Sequence, residues 1–326
     1  MSSTAPRRGI VLGGGGVLGA AWMIGALSAV QDAYGWDPRE AEILVGTSAG
    51  SVLCGLLGCQ VSVDTLINHQ RGLPAPGDPQ VDFDPDGASG GPLPPRPKLG
   101  IGSTALLARA VRNPRRMPPL AVLSGLAPRG RGQLDAVRAL IDSAVGLAGD
   151  GFGWAPHPAT WIVAMDYESG RRVPFGRPGS PPATLAEAVS ASCAIPGWYA
   201  PVPIGGRRYV DGGTLSPTSL DLVADRGLDE VIVLAPMVSF EFDEPPSLVG
   251  RVERRFRRAM TKRVLHEAGK VRRHGTAVTI LGPGRDDLEA IGVNLMDPRR
   301  RVRVLETSLR TSAEALAGGD ATLPAA

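Results

Sequence analysis

The chain has 326 residues, 43% hydrophobic and 21% charged, with a formal net charge of +3. That balance excludes a disordered chain, gives no overall charge that would select nucleic acid, and leaves length enough for a core without covalent staples. Its three cysteines, Cys54, Cys59 and Cys193, are too few and too scattered for a disulfide framework or a zinc site, so a reduced, cytoplasmic, metal-free protein is expected.

Taken in chain order, Arg8 to Leu12 reads as a short buried strand, Gly13 to Gly16 as a turn, and Val17 to about Val30 as a helix. The uncharged window Ile10 to Val30 is also about the length of a membrane span or signal segment, although its six glycines weaken a continuous helix. Ala41 to Val45 is a second strand, and a helix follows from Ala49 to about Leu57. Strand, glycine turn, helix, repeated, is the rhythm of a mostly parallel α/β sheet. Residues 73–98 are dominated by Pro, Gly and Asp and read as an irregular insertion; residues 99–126 have mixed helical signals and form a candidate cap.

Further on, Gln133 to Val145 reads as a helix, and Thr160 to Phe175 as two strands around a turn at Glu168–Gly170. Thr184 to Ser192 is helical, Arg207 to Val210 a strand, and Glu230 to Ala235 and Ala277 to Leu281 two more strands. Residues 251–274 are dense in Arg and Lys, with Val252, Phe256, Met260, Val264 and Val271 at roughly helical spacing. Three readings attach to them: an ordinary helix with a solvated basic face, a surface drawn to anionic membrane, or a nucleic-acid groove. The arginines lack an aromatic stacking platform, which argues against the last. The expected organisation is an N-terminal tail at 1–7, one catalytic domain over 8–310, and a weakly ordered tail at 311–326.

Three short motifs carry chemistry. Gly46-Thr47-Ser48-Ala49-Gly50 follows a strand and opens a helix. A serine on such a turn presents its hydroxyl at the sheet end while Gly46 and Gly50 allow close backbone approach; the alternative is a helix-capping serine. The stretch Gly13 to Gly19 fits a dinucleotide fingerprint, Gly14-x-Gly16-x-x-Gly19, but no acid closes the second strand to bind a ribose. It equally supplies main-chain N–H groups for an oxyanion hole. Asp211-Gly212-Gly213 follows a strand and reads either as a base held by a glycine turn or as an aspartate capping its own backbone. Of the four histidines, His266 and His274 have the chain order of a hydrolase base but sit among arginines, and His69 and His157 do not have that order.

GGGGVLG at 13–19, GTSAG at 46–50 and DGG at 211–213, with Ser190 to Pro196 leading toward the aspartate, together resemble the patatin-like phospholipases over Arg8 to Thr214. The resemblance implies a three-layer α/β/α fold and hydrolysis of lipid esters by a serine–aspartate dyad without histidine. It implies Ser48 as nucleophile, Asp211 as base, and Gly14, Gly15 and Gly16 as oxyanion donors, with Gly19, Gly46, Gly50, Gly212 and Gly213 supporting the turns. The resemblance implies a lipid or lipid-like ester as partner; the basic stretch, which lies outside it, is what would touch an anionic membrane surface. Leu18 departs from the family's usual Arg or Lys and removes charge near the expected hole. That departure keeps a non-catalytic lipid-binding protein as one alternative, and an NAD(P)-binding oxidoreductase is the other.

Overall fold

The computed structural model describes residues 5–79, 95–98, 100–112, 117–149, 153–240 and 248–318. Its strands are β1 Arg8–Leu12, β2 Ile43–Thr47, β3 Thr160–Asp166, β4 Arg172–Phe175, β5 Val202–Ile204, β6 Arg207–Asp211, β7 Glu230–Leu234 and β8 Ala277–Leu281. They form one sheet in the order β5-β6-β3-β2-β1-β7-β8, with β4 paired to β3 off that path. The run from β3 to β8 is parallel, while β4 and β6 lie antiparallel to β3. The helices are α1 Gly16–Tyr34, α2 Ala49–Gly58, α3 Val63–Arg71, α4 Thr104–Arg112, α5 Pro119–Leu126, α6 Asp135–Ala148, α7 Leu185–Cys193, α8 Leu248–Arg272, α9 Arg285–Ile291 and α10 Arg301–Gly318.

The central strands are apolar on both faces, as a covered parallel sheet requires. Alternate residues divide between two cores. Ile10, Leu12, Leu44 and Ile162 pack with α1, α2 and α7; Val11, Val45, Trp161 and Val163 pack with Leu220 and with Val264, Ala268 and Val271 of α8. Each fully buried Val, Leu or Ile contributes about 1.5–3 kcal/mol, and the two cores make three layers, α/β/α. A smaller cluster joins Leu106 of α4 and Ala121 of α5 to Met165, Tyr167 and Val210.

The structure corrects several sequence expectations. Ile10–Leu12 is a central strand with no exposed surface and a turn separates it from α1, so the window 10–30 is no membrane span. Among the described residues no helix is long and apolar enough to cross a membrane. The second strand runs over Ile43–Thr47 rather than 41–45, because Asp37 accepts the Arg39 N–H at 2.9 Å and holds a short turn before it. The strand therefore leads directly into Ser48. Helix α3 has no apolar signature strong enough to announce it; Ser62 caps it by accepting the Thr65 N–H at 3.1 Å, and Gly72 ends it.

The basic stretch does form a helix, α8, to Arg272, with His274 beyond its end. The expected weakly ordered tail is wrong over 311–318, which belong to α10. That helix is fastened to α1: the Ser308 hydroxyl donates to the Trp22 carbonyl at 2.7 Å, and Gly25 leaves room for Ser308 and Leu309. Thr311 donates to Asp287 Oδ1 at 2.8 Å. Residues 319–326, 80–94 of the insertion, and 99 and 113–116 of the cap lie outside the described residues.

Candidate active site

Ser48 sits at the end of β2 with φ 53° and ψ −125°, the left-handed side of backbone space that non-glycine residues avoid. Its flanking glycines have specific steric reasons. A Cβ on Gly46 would lie 2.5 Å from the Gly50 carbonyl oxygen and 2.6 Å from Cys54 Cβ. A Cβ on Gly50 would overlap the Leu12 carbonyl of β1, and the Gly50 N–H donates to the Gly13 carbonyl at 3.1 Å. The first turn of α2 is thus pressed against the end of β1.

The strained turn is tied on all sides. The Ser192 hydroxyl accepts the Ser48 N–H at 2.9 Å and donates to the Val163 carbonyl at 2.6 Å. The Ser48 carbonyl accepts the Ser51 N–H at 2.7 Å and the Ser51 hydroxyl at 2.6 Å. Ser192 is a supporting residue that the sequence did not reveal. It lies in the quoted stretch before the aspartate, but nothing in its spacing marks it.

Asp211 closes β6, opposite Ala164 of β3, while Thr47 lies opposite Val163. The two strand ends therefore reach the same level on either side of β3. Ser48 therefore stands beside the Asp211 carboxylate, close enough to lower its pKa. Asp211 Oδ1 also accepts the Gly213 N–H at 2.7 Å, and its own N–H donates to Ala194 at 3.0 Å. A Cβ on Gly212 would stand 2.5 Å from the Val163 carbonyl oxygen, so the turn after the aspartate also needs glycine.

Both side chains are almost wholly buried, Ser48 at 7% and Asp211 at 5% exposure. Burial raises the Asp211 pKa from 3.8 to about 6, although Ser48 and the Gly213 N–H pull the other way. The carboxylate is thus ionised at neutral pH but far more basic than a surface aspartate. Cys193 beside it is pushed up to about 12 by burial and by the Asp211 charge, and remains a thiol.

No histidine contact to Ser48 appears among the described residues. His157 Nε2 is 2.6 Å from the Ala41 carbonyl oxygen, His69 pairs with Asp78 at 3.3 Å, and His266 and His274 are exposed on or beyond α8. Among the described residues no three His, Cys, Asp or Glu side chains converge as a metal cluster.

The glycine loop lies against the serine. A Cβ on Gly14 would be 3.2 Å from Ser48 Cβ and 3.8 Å from its Oγ. The loop also narrows the expected oxyanion donors. The Gly14 N–H already donates to the Pro217 carbonyl at 2.8 Å, as Gly13 does to Leu234 at 2.9 Å. For the Gly15 and Gly16 N–H groups, at the start of α1, no acceptor lies among the described residues. Gly15 and Gly19 are packed under Pro236, and Gly16 has φ 63°. Leu18 is fully buried, and its N–H donates to the Leu295 carbonyl at 3.0 Å. The family's usual cation is therefore replaced here by a core side chain. The end of β2, where a dinucleotide site needs an acid, carries Thr47 and Ser48.

Helix α5 lies beside the Gly212–Thr214 turn. Its Leu123 and Leu126 are 60% and 53% exposed, and Ile101 and Val111 nearby in the chain also face solvent.

A family model described as patatin-like phospholipase matches residues 10–224. Among solved structures, VipD from Legionella pneumophila is 14% identical, the match covering 97% of this chain and 68% of that one, with a TM-score of 0.45. The type III effector protein ExoU is 16% identical over 96% of this chain and 53% of its own, with a TM-score of 0.38.

Proposed function

The chain belongs to the patatin-like phospholipase family and is a lipid acyl hydrolase, and on that premise we propose that Ser48 and Asp211 hydrolyse a carboxylic ester of a glycerophospholipid or similar lipid. Asp211 takes the proton from Ser48 Oγ as the oxygen attacks the ester carbonyl. The tetrahedral oxyanion is held by the Gly15 and Gly16 N–H groups at the positive end of α1. Collapse releases the alcohol, which takes its proton from Asp211. A water then gives a proton to Asp211 as its oxygen attacks the acyl-enzyme carbonyl, and collapse releases the acid and returns that proton to Ser48 Oγ. The observation that carries this reading is that buried Ser48 and Asp211 meet at neighbouring strand ends, with the glycine loop against the serine.

A base at about pKa 6 suits this role: ionised at neutral pH, yet strong enough to accept a proton in the transition state. The acyl chain would lie under the cap, against α5 and the Trp198–Tyr199 pair. The lipid surface would be met by the exposed stripe of α8, Leu248, Val252 and Phe256, one turn apart, with exposed Arg255 and Lys262 beside it for anionic headgroups. The buried thiols of Cys54 and Cys59, outside any disulfide, suit a cytoplasmic, peripherally bound enzyme.

A fluorophosphonate probe tests the chemistry: Ser48 Oγ bonds to phosphorus and fluoride leaves. Labelling of the wild type and not of Ser48→Ala is expected, followed by turnover on a panel of lipid esters. An unlabelled, folded wild type would favour a lipid-binding protein without turnover. Binding to anionic vesicles should weaken as salt rises; salt-independent binding would count against the α8 stripe.

A further inference from the structure

Helix α8 lies beyond the family-matched residues 10–224, yet it reaches the glycine loop by two separate routes. The first begins at Glu267, which has no exposed surface. Its Oε2 accepts the Ser216 hydroxyl at 2.9 Å, the Thr218 hydroxyl at 3.2 Å and the Leu220 N–H at 3.1 Å. Ser216 and Thr218 flank Pro217, whose carbonyl holds the Gly14 N–H. Arg263 at 2.8 Å and Arg172 at 4.0 Å balance the buried charge.

The second route begins at Arg257, also fully buried. It is paired with Glu253 on the same helix, and its guanidinium donates to the Pro236 carbonyl at 2.6 Å. The Pro236 ring is the surface against which Gly15 and Gly19 are packed: a Cβ on Gly15 would stand 2.7 Å from Pro236 Cγ, and one on Gly19 3.2 Å.

We propose that Glu267 and Arg257 are positioning residues that hold the oxyanion loop from behind, Glu267 through Pro217 onto Gly14 and Arg257 through Pro236 onto Gly15. Neither touches the reacting atoms. The physical need is plain. A run of four glycines has little conformational preference of its own, and oxyanion stabilisation requires donors fixed in advance at one point. Pinning Gly14 N–H fixes the plane of the Gly13–Gly14 peptide, one residue before Gly15, and the proline ring limits where Gly15 can move. The ion pairs of α8 are thus put to use away from the surface. A buried pair of this kind is weak evidence for stability by itself, and its retention here is explained by the loop it orders.

The proposal rests on Ser48 as nucleophile, and the test separates the two. Wild type, Glu267→Gln, Arg257→Met and Thr218→Val are compared by fluorophosphonate inactivation rate, by kcat and KM on a soluble short-chain ester, and by thermal melting. For Glu267→Gln and Arg257→Met, kcat and the inactivation rate should fall together by about 10- to 100-fold, as for a small misplacement of catalytic groups. KM should stay near the wild-type value, and the acid limb of the pH–rate profile, which belongs to Asp211, should not move. A change in KM with kcat preserved, or wild-type kcat and inactivation rate in the folded variants, would overturn the assignment. Thr218→Val removes one hydroxyl from the first route at nearly constant volume and should show a smaller fall of the same kind. It decides the question for that route if Glu267→Gln does not fold. A wild type that is never labelled sinks both readings, whereas a labelled wild type with unaffected variants sinks only this one.

Discussion

The elbow around Ser48 and the cap formed by α4 and α5 face the same corner of the sheet but are held by different means. At the elbow the backbone of one element touches the backbone of another, as where Gly50 meets the Leu12 carbonyl and Gly212 meets Val163. In the cap, a few buried side chains such as Leu106 and Ala121 do the anchoring, while Leu123, Leu126 and Val111 remain exposed. The elbow fixes atoms to within the width of a methyl group. The cap only keeps apolar surface near the opening, and many sequences could do that.

The contrast is sharpest if substitutions of similar size have very different outcomes. Asp211→Asn should have the largest effect, lowering turnover by about 100- to 10,000-fold, the range of a lost general base, in an ester hydrolysis assay. The same change should raise the melting temperature at pH 8. In the folded protein the Asp211 pKa stands at about 6 against an ordinary 3.8, so the folded state holds the proton more tightly than the unfolded chain. Stability from this group is therefore full below pH 3.8 and is lost as pH rises to about 6, a cost of up to about 3 kcal/mol above that window. The neutral amide escapes it. In the wild type, kcat/KM should climb with pH through about 6; an acid limb nearer 4 would mean that the carboxylate is solvated.

Gly50→Ala comes next. Its new methyl meets main-chain atoms of β1 that cannot rotate away, so a loss of about 3 kcal/mol or more in denaturant unfolding is expected, at the upper end of overpacking. Tolerance of that methyl would show that the elbow has slack and would erase the contrast. Ser48→Gly should stabilise the fold by about 1 kcal/mol in denaturant unfolding, because glycine adopts the strained backbone without penalty. Smallest of all, Leu126→Ser in the cap should change stability by no more than about 0.5 kcal/mol, the ordinary range for surface sites, while weakening binding to lipid vesicles.

The same difference explains what could be read in advance. Ser48, Asp211 and the glycines around them are legible because contact between backbones leaves no residue but glycine, and regular spacing follows. The central strands are legible because they are apolar on both faces. Pro217 and Pro236, which set where the glycine loop lies, are silent in the sequence. Their roles depend on a carbonyl direction and a ring face, and neither has a pattern along the chain. For the same reason the motif groups Gly14 with Gly15 and Gly16 as a donor, although its N–H is engaged by Pro217. Residues 311–318 of α10 read as tail because the groups that anchor this helix, Ser308 and Thr311, are small and polar, and only the gap at Gly25 lets Ser308 lock onto α1.

That lock has a consequence for how the protein is made. Ser308 and the Trp22 carbonyl it binds are 286 positions apart, a wait of roughly 15 to 60 s at ordinary rates of translation. Throughout that interval α1, whose first turn carries Gly16, has left the ribosome without the helix that covers it. The nascent chain therefore emerges with an oily flank needing temporary shelter until α10 has been assembled.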